Sequence, residues 1–370
     1  MKFDSLTFAE QQLIPWFNDH LATLEHCIRM NGEFMRKLAI EVAPSWGVNT
    51  QPDSWGNAAF QDYDKVRYVM KQIVREWASE GKIERDTGFK RIMEFMEKEF
   101  PDFESRHKVK VLVPGAGLGR MNFEFVKRGF WCQGNEFSYH MLLASNYILN
   151  HAYTQSAYSI FPYIHTGSNQ LSRGLQTRPI FFPDVHPGSL LHHTQLDHPT
   201  INIGELMSIA SGSFADLYGP QDLSESQHYS RQPSAIEFRD YNKELMDCCV
   251  THFFIDTSSN VIEYLRTLNH CLKPGALWIN FGPLLWHFED AEDIHEIKRA
   301  DGVTCSAPVK GLEMSLDDLL QLASNWFEII HRESRIECAY ASDAKAMGGW
   351  KYQCEFWVMR RKCNIASSLI

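Results

Sequence analysis

The sequence predicts an α/β fold: a mostly parallel sheet covered by helices on both faces and preceded by a helical N-terminal region. Three observations carry that reading. Up to about Ala43, and again from Asp62 to Pro101, apolar residues recur every three or four positions, the period of one helical face. After Pro101 the texture changes to short apolar runs alternating with helical segments, as a sheet with crossover helices requires. The last two apolar runs, Phe327 to Ile336 and Tyr352 to Met359, follow each other with no convincing helix between them, so the sheet ends in an antiparallel pair.

Taken in order, Leu13, Phe17, Leu21, Leu24 and Ile28, then Met35, Leu38 and Val42, mark the face of a first helical run that Pro15 divides near its start. "SWGVNTQPDSWGN" breaks the pattern. A second helix begins near Asp62 with Val66, Val69, Met70, Ile73 and Trp77 on one face and Gln72 and Arg75 near its edge; "DTGFKRIMEFMEKEFP" is a third, closed by Pro101. Strands are expected at Val109 to Val113, Cys132 to Glu136, Cys248 to Ile255 and Ala276 to Phe281, besides the final pair. Helices are expected at about Gly119 to Arg128, Tyr139 to Asn150, Asn260 to Leu272 and Leu316 to Ser324. Between His151 and Tyr241 "RPIFFPDV" and "TINIGELMSIASGSF" can each hold a strand. The polar "GPQDLSESQHYSRQPSAIEFRDYN" reads as a surface excursion, a lid or a disordered segment.

At 370 residues and 44% hydrophobic composition the chain can bury a sizeable core. "MKFDSLTFAEQQLIPWF" has no basic stretch followed by an apolar run, and no segment approaches the roughly 18 apolar residues of a membrane span, which argues against secretion and insertion. The nine cysteines form no CxxC pair, so a reducing cytoplasm or nucleus fits better than a disulfide framework. With a net charge of −10 and only "RRK" at Arg360 to Lys362 as a basic run, nucleic acid is disfavoured. His186, His192, His193 and His198 lack ligand spacing on a regular element and read as a flexible loop, so no metal is expected. No GxSxG elbow or P-loop occurs. A homodimer is left open.

"VKVLVPGAGLGRMNFEFVKRGFWCQGNEF" is the most informative stretch. A strand enters a turn with Gly115, Gly117 and Gly119 at a helix start, which permits close backbone approach to a ligand. The dinucleotide fingerprint needs a small residue where Arg120 stands, which speaks against a nicotinamide cofactor. Glu136 ends the next strand about 20 residues on, where a carboxylate accepts both ribose hydroxyls. Glycine turn and ribose acid together suit S-adenosylmethionine; the plainer alternative is a tight strand–helix turn and an acid that merely ends a strand. Asp256, closing the apolar strand of "HFFIDTSSN", sits where open sheets bind ligands, or else caps the following helix.

These motifs, with "CQGNEF", "RPIFFPDV", "FFIDT", "LKPGALWINFGPLLWHFE" and "DKVRYVMKQIVREW...GKIERD", resemble the carnosine N-methyltransferase family, the N2227-like class I methyltransferases, from about Asp62 to Lys362. The resemblance implies a class I methyltransferase (Rossmann-like) seven-stranded mostly parallel sheet. It implies a helical N-terminal region, 1–100, capping the cofactor site, and a core at 101–370 with a long insertion around 151–242. It further implies S-adenosylmethionine as donor and an imidazole of a histidine-containing dipeptide as acceptor.

Residue by residue, it implies that Gln72 and Arg75 close over the cofactor, the arginine on the methionyl carboxylate. Gly115, Gly117, Glu136, Ser213, Phe214 and Cys248 line the same ligand. Ser213 replaces an aspartate of the family's Gly-Asp-Phe, which weakens one adenine contact, and on its residues alone Cys248 is a buried strand cysteine. Asp256 meets the acceptor imidazole, with His287 and Tyr352 as further substrate contacts; Trp350 stands where the family more often has tyrosine. Neutral imidazole already carries a lone pair near pH 7, so geometry and tautomer are what an enzyme must supply. Asp256 is the expected acceptor of one ring N–H. Another small amine, a protein histidine, or a silent cofactor-binding module are the other readings; Asp256, His287 and Tyr352 together speak against the last.

Overall fold

The computed structural model describes residues 2–223, 232–290, 294–298, 302–308 and 311–363. In chain order its elements are α1 (Phe8–Leu13), α2 (Phe17–Val42), α3 (Asp62–Trp77), α4 (Lys82–Glu99), β1 (Lys110–Pro114), α5 (Arg120–Lys127), β2 (Trp131–Glu136) and α6 (Tyr139–Asn150). There follow β3 (Tyr158–Ile160), α7 (Arg173–Gln176), β4 (Ile180–Phe182), α8 (Pro187–Asp197), β5 (Met207–Ser211), α9 (Phe214–Tyr218), α10 (Pro233–Asn242) and β6 (Met246–His252). The chain continues through α11 (Val261–Cys271), β7 (Leu272–Gly282), β8 (Ile294–Lys298), β9 (Thr304–Pro308), α12 (Leu316–Ala323), β10 (Phe327–Ala339) and β11 (Lys351–Arg361). Two compact units result. One is Met1–Ile83 with Leu143–His186 and Ala339–Trp350; the other is Glu84–Leu142, Pro187–Cys338 and Lys351–Ile370, so the chain does not divide once near residue 100.

The second unit is built on a seven-stranded sheet in the order β10-β11-β7-β6-β1-β2-β5. β1 pairs in parallel with β2 and β6, β2 with β5, and β6 with β7, whereas β11 runs antiparallel to β7. The ion pairs Glu337–Lys351 and Arg332–Glu355 link β10 and β11 in opposite chain order, so the last two strands form the expected antiparallel pair. Each face carries its own apolar cluster. Phe89, Ile92, Met93 and Met96 of α4 join Phe125 and Val126 of α5 against Val111, Val113 and Ile279. On the other face Leu265 and Leu268 of α11 and Leu319 and Ala323 of α12 meet Leu112, Cys249 and Trp278. Burial on both faces is why the central strands read as continuous apolar runs.

In the first unit Thr7 and Glu10 form a reciprocal capping box that starts α1. The buried face of α2 is Cys27, Asn31, Phe34, Leu38 and Val42: Leu38 and Val42 lie on it as expected, whereas Ile28 is 58% exposed and Leu13, at the end of α1, is 74% exposed. Asn31 hides that face from a periodicity count, because a polar residue occupies it: its amide exchanges two hydrogen bonds with the Phe161 backbone, 3.0 and 2.8 Å. Phe34 packs edge-on against Tyr147 and Phe182, and β3 pairs antiparallel with β4 through Tyr158 and Phe182.

The histidine-rich stretch expected as a flexible loop contains the helix α8. His198 there donates from Nδ1 to Glu104 Oε1 at 2.6 Å and stacks on Phe103. The polar excursion is folded in part: α10 packs Phe238 on Tyr218, and buried Arg239 donates to the Asp216 carbonyl, while residues 224–231 lie outside the described residues. The hairpin of β8 and β9 was not expected from the sequence. Among the described residues no helix is long and apolar enough to cross a membrane.

Candidate active site

β1, β2, β5 and β6 all deliver their C-terminal ends to one edge of the sheet in the second unit. At the end of β1 Gly115, Gly117 and Gly119 take positive φ of 67°, 55° and 78°, backbone that side chains disfavour, and Gly119 is the N-cap of α5. A Cβ at Gly115 would lie 2.5 Å from the Phe254 ring, so this glycine is required by packing as well as by any ligand. Gly117 donates its amide to Glu136 Oε2 at 2.9 Å, and Ser138 donates its own to Glu136 Oε1 at 2.8 Å. Each carboxylate oxygen is thus oriented by one backbone donor and has a further lone pair to offer. The register continues from Glu136 to Ser211 on β5, placing half-buried Ser213 and buried Phe214 beside it at the start of α9. Phe214 is a wall residue, edge-on to Phe254 and Tyr264, which stack on each other at 5.0 Å.

At the end of β6 the chain turns sharply. Phe253 has φ 52°, a strained value for a bulky side chain. It is held there by its amide bond to the Phe281 carbonyl at 2.8 Å and by ring contacts with His252, Phe281 and Tyr352. The turn brings Asp256 to the edge with its side chain 4% exposed. Oδ2 accepts from the Leu285 amide at 2.9 Å, and the Asp256 carbonyl accepts from the His287 amide at 3.1 Å. Burial pushes the carboxyl above its ordinary range; the Leu285 bond and the nearby His287 imidazole pull in the other direction without cancelling it. Burial raises the Tyr264 hydroxyl, its bond to Thr257 opposes the rise, and the charges of Glu263, Glu136 and Asp256 add to it.

The expected residues therefore divide. Gly115, Gly117, Glu136, Ser213, Phe214, Asp256 and exposed His287 gather at this edge, and Tyr352 reaches it through Phe253. Cys248 does not: it is fully buried in mid-strand, paired in register with Val111 and Leu277, and its thiol is raised by desolvation. Gln72 and Arg75 belong to the first unit, where both are buried rather than solvated at a helix edge. Gln72 donates to the Tyr340 hydroxyl at 2.7 Å, Arg75 donates to Gln72 Oε1 at 3.4 Å, and the Arg75 guanidinium lies 4.3 Å over the Tyr340 ring. Trp350, of the same unit, is exposed. Tyr340, Phe253, Phe254 and Tyr264 escaped the sequence reading.

A sheet in which the last strand enters antiparallel between β10 and β7, with a glycine turn after β1 and an acid ending β2, is that of a class I methyltransferase using S-adenosylmethionine. The residues present fit that cofactor: a turn stripped of Cβ atoms faces a carboxylate already aligned by two amides. The family model for carnosine N-methyltransferase matches residues 52–363. Carnosine N-methyltransferase of Rattus norvegicus is 33% identical over 97% of this chain and 80% of its own length. The Schizosaccharomyces pombe protein of that name is 33% identical over 93% and 83%, and the Drosophila melanogaster protein named Carnosine N-methyltransferase unmet is 35% identical over 97% and 74%. The chain belongs to the carnosine N-methyltransferase family.

Proposed function

We propose that this chain transfers a methyl group from S-adenosylmethionine to an imidazole nitrogen of carnosine or a related histidine-containing dipeptide. The observation that carries the reading is the Asp256 carboxylate, buried beside His287 at the sheet edge that also holds the glycine turn and Glu136.

The roles follow from chemistry. When bound, the cofactor supplies an electrophilic methyl on a sulfonium. Glu136 offers its remaining lone pairs to the ribose hydroxyls, and the glycine backbone admits the neighbouring part of the ligand. Phe214 and Phe254 wall the adenine side, with Ser213 as a short polar contact in place of an acid. Gln72 and Arg75, which the resemblance implies as cofactor residues, meet each other and Tyr340 within the first unit.

Asp256 accepts the N–H of one ring nitrogen of the acceptor. That fixes the tautomer and leaves the other nitrogen's lone pair free to attack. As the ring gains positive charge on alkylation, the fixed carboxylate stabilises it, and the N–H proton stays on the ring until the product leaves. No strong base is required, since neutral imidazole is abundant near pH 7. His287 and Tyr352 bracket the acceptor from the β7 and β11 sides. A reducing compartment, cytoplasm or nucleus, is consistent with the free thiols of Cys27, Cys132, Cys248, Cys249, Cys271, Cys338, Cys354 and Cys363. No step requires a second copy of the chain.

The test is transfer of labelled methyl from S-adenosylmethionine to carnosine, with free histidine and a histidine-containing peptide alongside. Label in carnosine supports the reading. A protein that binds the donor and labels none of the three loses the acceptor assignment and keeps the cofactor.

A further inference from the structure

The sheet order reverses between β1 and β6, which is where an open sheet takes its ligands, and Asp256 follows the end of β6 at that point. Its orientation depends on residues 283–287, which belong to no helix or strand. The Leu285 amide donates to Asp256 Oδ2 at 2.9 Å, and the His287 amide donates to the Asp256 carbonyl at 3.1 Å. Backbone outside helices and strands keeps one conformation only where other contacts fix it. Trp286, between the two donors, is fixed in that way. Its half-buried ring packs against the apolar cluster that Leu284, Met314 and Leu316 also join, and Nε1 donates to the Met314 carbonyl at 3.0 Å. Met314 is tethered in turn: the Gly311 and Leu312 amides just before it both donate to the Ser259 carbonyl, at 3.2 and 3.3 Å. Ser259 lies three residues past Asp256, so the bonds close a circuit. It runs from Asp256 to the 285–287 loop, from Trp286 to Met314, and from 311–312 through Ser259 back to Asp256; every member belongs to the second unit.

We propose that Trp286 is a positioning residue for methyl transfer: its bond to Met314 holds the 285–287 loop so that the Leu285 amide fixes the direction in which Asp256 offers its carboxylate to the acceptor. This rests on the reading above, in which Asp256 receives the acceptor's ring N–H. Hydrogen bonds to an ionised carboxylate are short and strong, so the one from Leu285 is well suited to set that direction. Two consequences follow. A misdirected carboxylate lowers kcat more than it raises KM, because alignment matters most in the transition state. The Leu285 bond also favours the ionised form of Asp256, so its loss moves the carboxyl further up. The titratable groups around it are His287 of the same loop and Tyr264 of α11, with Glu136 and Glu263 acting on the Tyr264 hydroxyl; none of them takes part in the Trp286–Met314 bond.

The experiment measures methyl transfer to carnosine at saturating S-adenosylmethionine across pH, and donor affinity by calorimetry, below each melting temperature. The proteins are wild type, Trp286→Phe, Gly311→Ala, Asp256→Ala and the Trp286→Phe/Asp256→Ala double variant. Trp286→Phe keeps a ring in the cluster and removes the N–H donor. Gly311→Ala opens the circuit at Ser259 instead, since at φ 96° its Cβ would stand 2.9 Å from the Phe288 carbonyl oxygen. The expected result in both is a fall in kcat on the order of tenfold, with acceptor KM and donor affinity within about threefold. The acid limb of the kcat profile moves to higher pH. In the Asp256→Ala background Trp286→Phe adds almost nothing, because it acts through that carboxylate. Wild-type kcat and acid limb in Trp286→Phe overturn the proposal whatever the melting temperature, and so does an equal further loss in the double variant. Asp256→Ala with wild-type kcat overturns the parent reading instead.

Discussion

β1 and β6 end at the same edge of the same sheet and turn by opposite means. After β1 the chain sheds side chains: Gly115, Gly117 and Gly119 each occupy positive φ where glycine is at ease. After β6 it forces a phenylalanine into that region, Phe253 at φ 52°, and holds it by one backbone bond and a ring cluster. The difference follows from what each turn presents. The first offers backbone and must let a ligand come close; the second offers the Asp256 carboxylate and needs a rigid wall behind it. Strain of about 1–3 kcal/mol persists only where surrounding structure over-determines it, and the rings of His252, Phe281 and Tyr352 do so here.

The two turns should respond differently to substitution. The largest effect is expected from Asp256→Ala, which removes the orienting acceptor: kcat for carnosine falls on the order of a thousandfold, while donor affinity, measured by calorimetry, stays within about threefold. Gly115→Ala does the reverse. Its Cβ would meet the Phe254 ring, so donor affinity drops by at least about tenfold and urea unfolding shows a loss of about 2 kcal/mol. Adding Phe254→Leu should recover part of that loss; no recovery would mean the clash is not the cause. Phe253→Gly relieves the backbone but removes the wall beside Tyr352, and steady-state kinetics should show acceptor KM raised severalfold with donor affinity unchanged.

The smallest effect concerns pH. Burial raises the folded-state carboxyl of Asp256 above its unfolded value, so the stability it contributes is full below the unfolded pKa and is lost as pH rises through the folded one. At neutral pH the ionised group is held at some expense. Asp256→Asn should therefore melt about 1–2 °C higher at pH 7.5 by calorimetry, a gain that fades in acid, although the variant is impaired in catalysis. In wild type the kcat profile should fall on the acid side at a pH above the ordinary aspartate range, reporting this carboxyl in the ternary complex rather than the free acceptor's imidazole.

The contrast between the turns also explains what was legible in the sequence. Glycines at fixed spacing and an acid after a short apolar strand announce the β1 turn and Glu136. The strain at Phe253 announces nothing, because "HFFID" is an ordinary strand end until the backbone is seen. The face of α2 was displaced because Asn31 sits inside it, its amide satisfied by a distant backbone. The helix α8 went unseen because "PGSLLHHTQLD" carries no apolar stripe. Gln72 and Arg75 were visible only as a helix edge, since their partner Tyr340 follows far along the chain. The family resemblance singled them out where periodicity could not; it also carried Cys248 to a ligand-lining place that the sheet register does not give it.

Asp256 as the group that selects the acceptor's tautomer is tested most directly by the ratio of the two N-methylated imidazole isomers formed from carnosine, resolved by nuclear magnetic resonance. Wild type should give one isomer, and the residual product of Asp256→Ala should be a mixture formed at a greatly reduced rate. The same single isomer from the variant at the wild-type rate would contradict it.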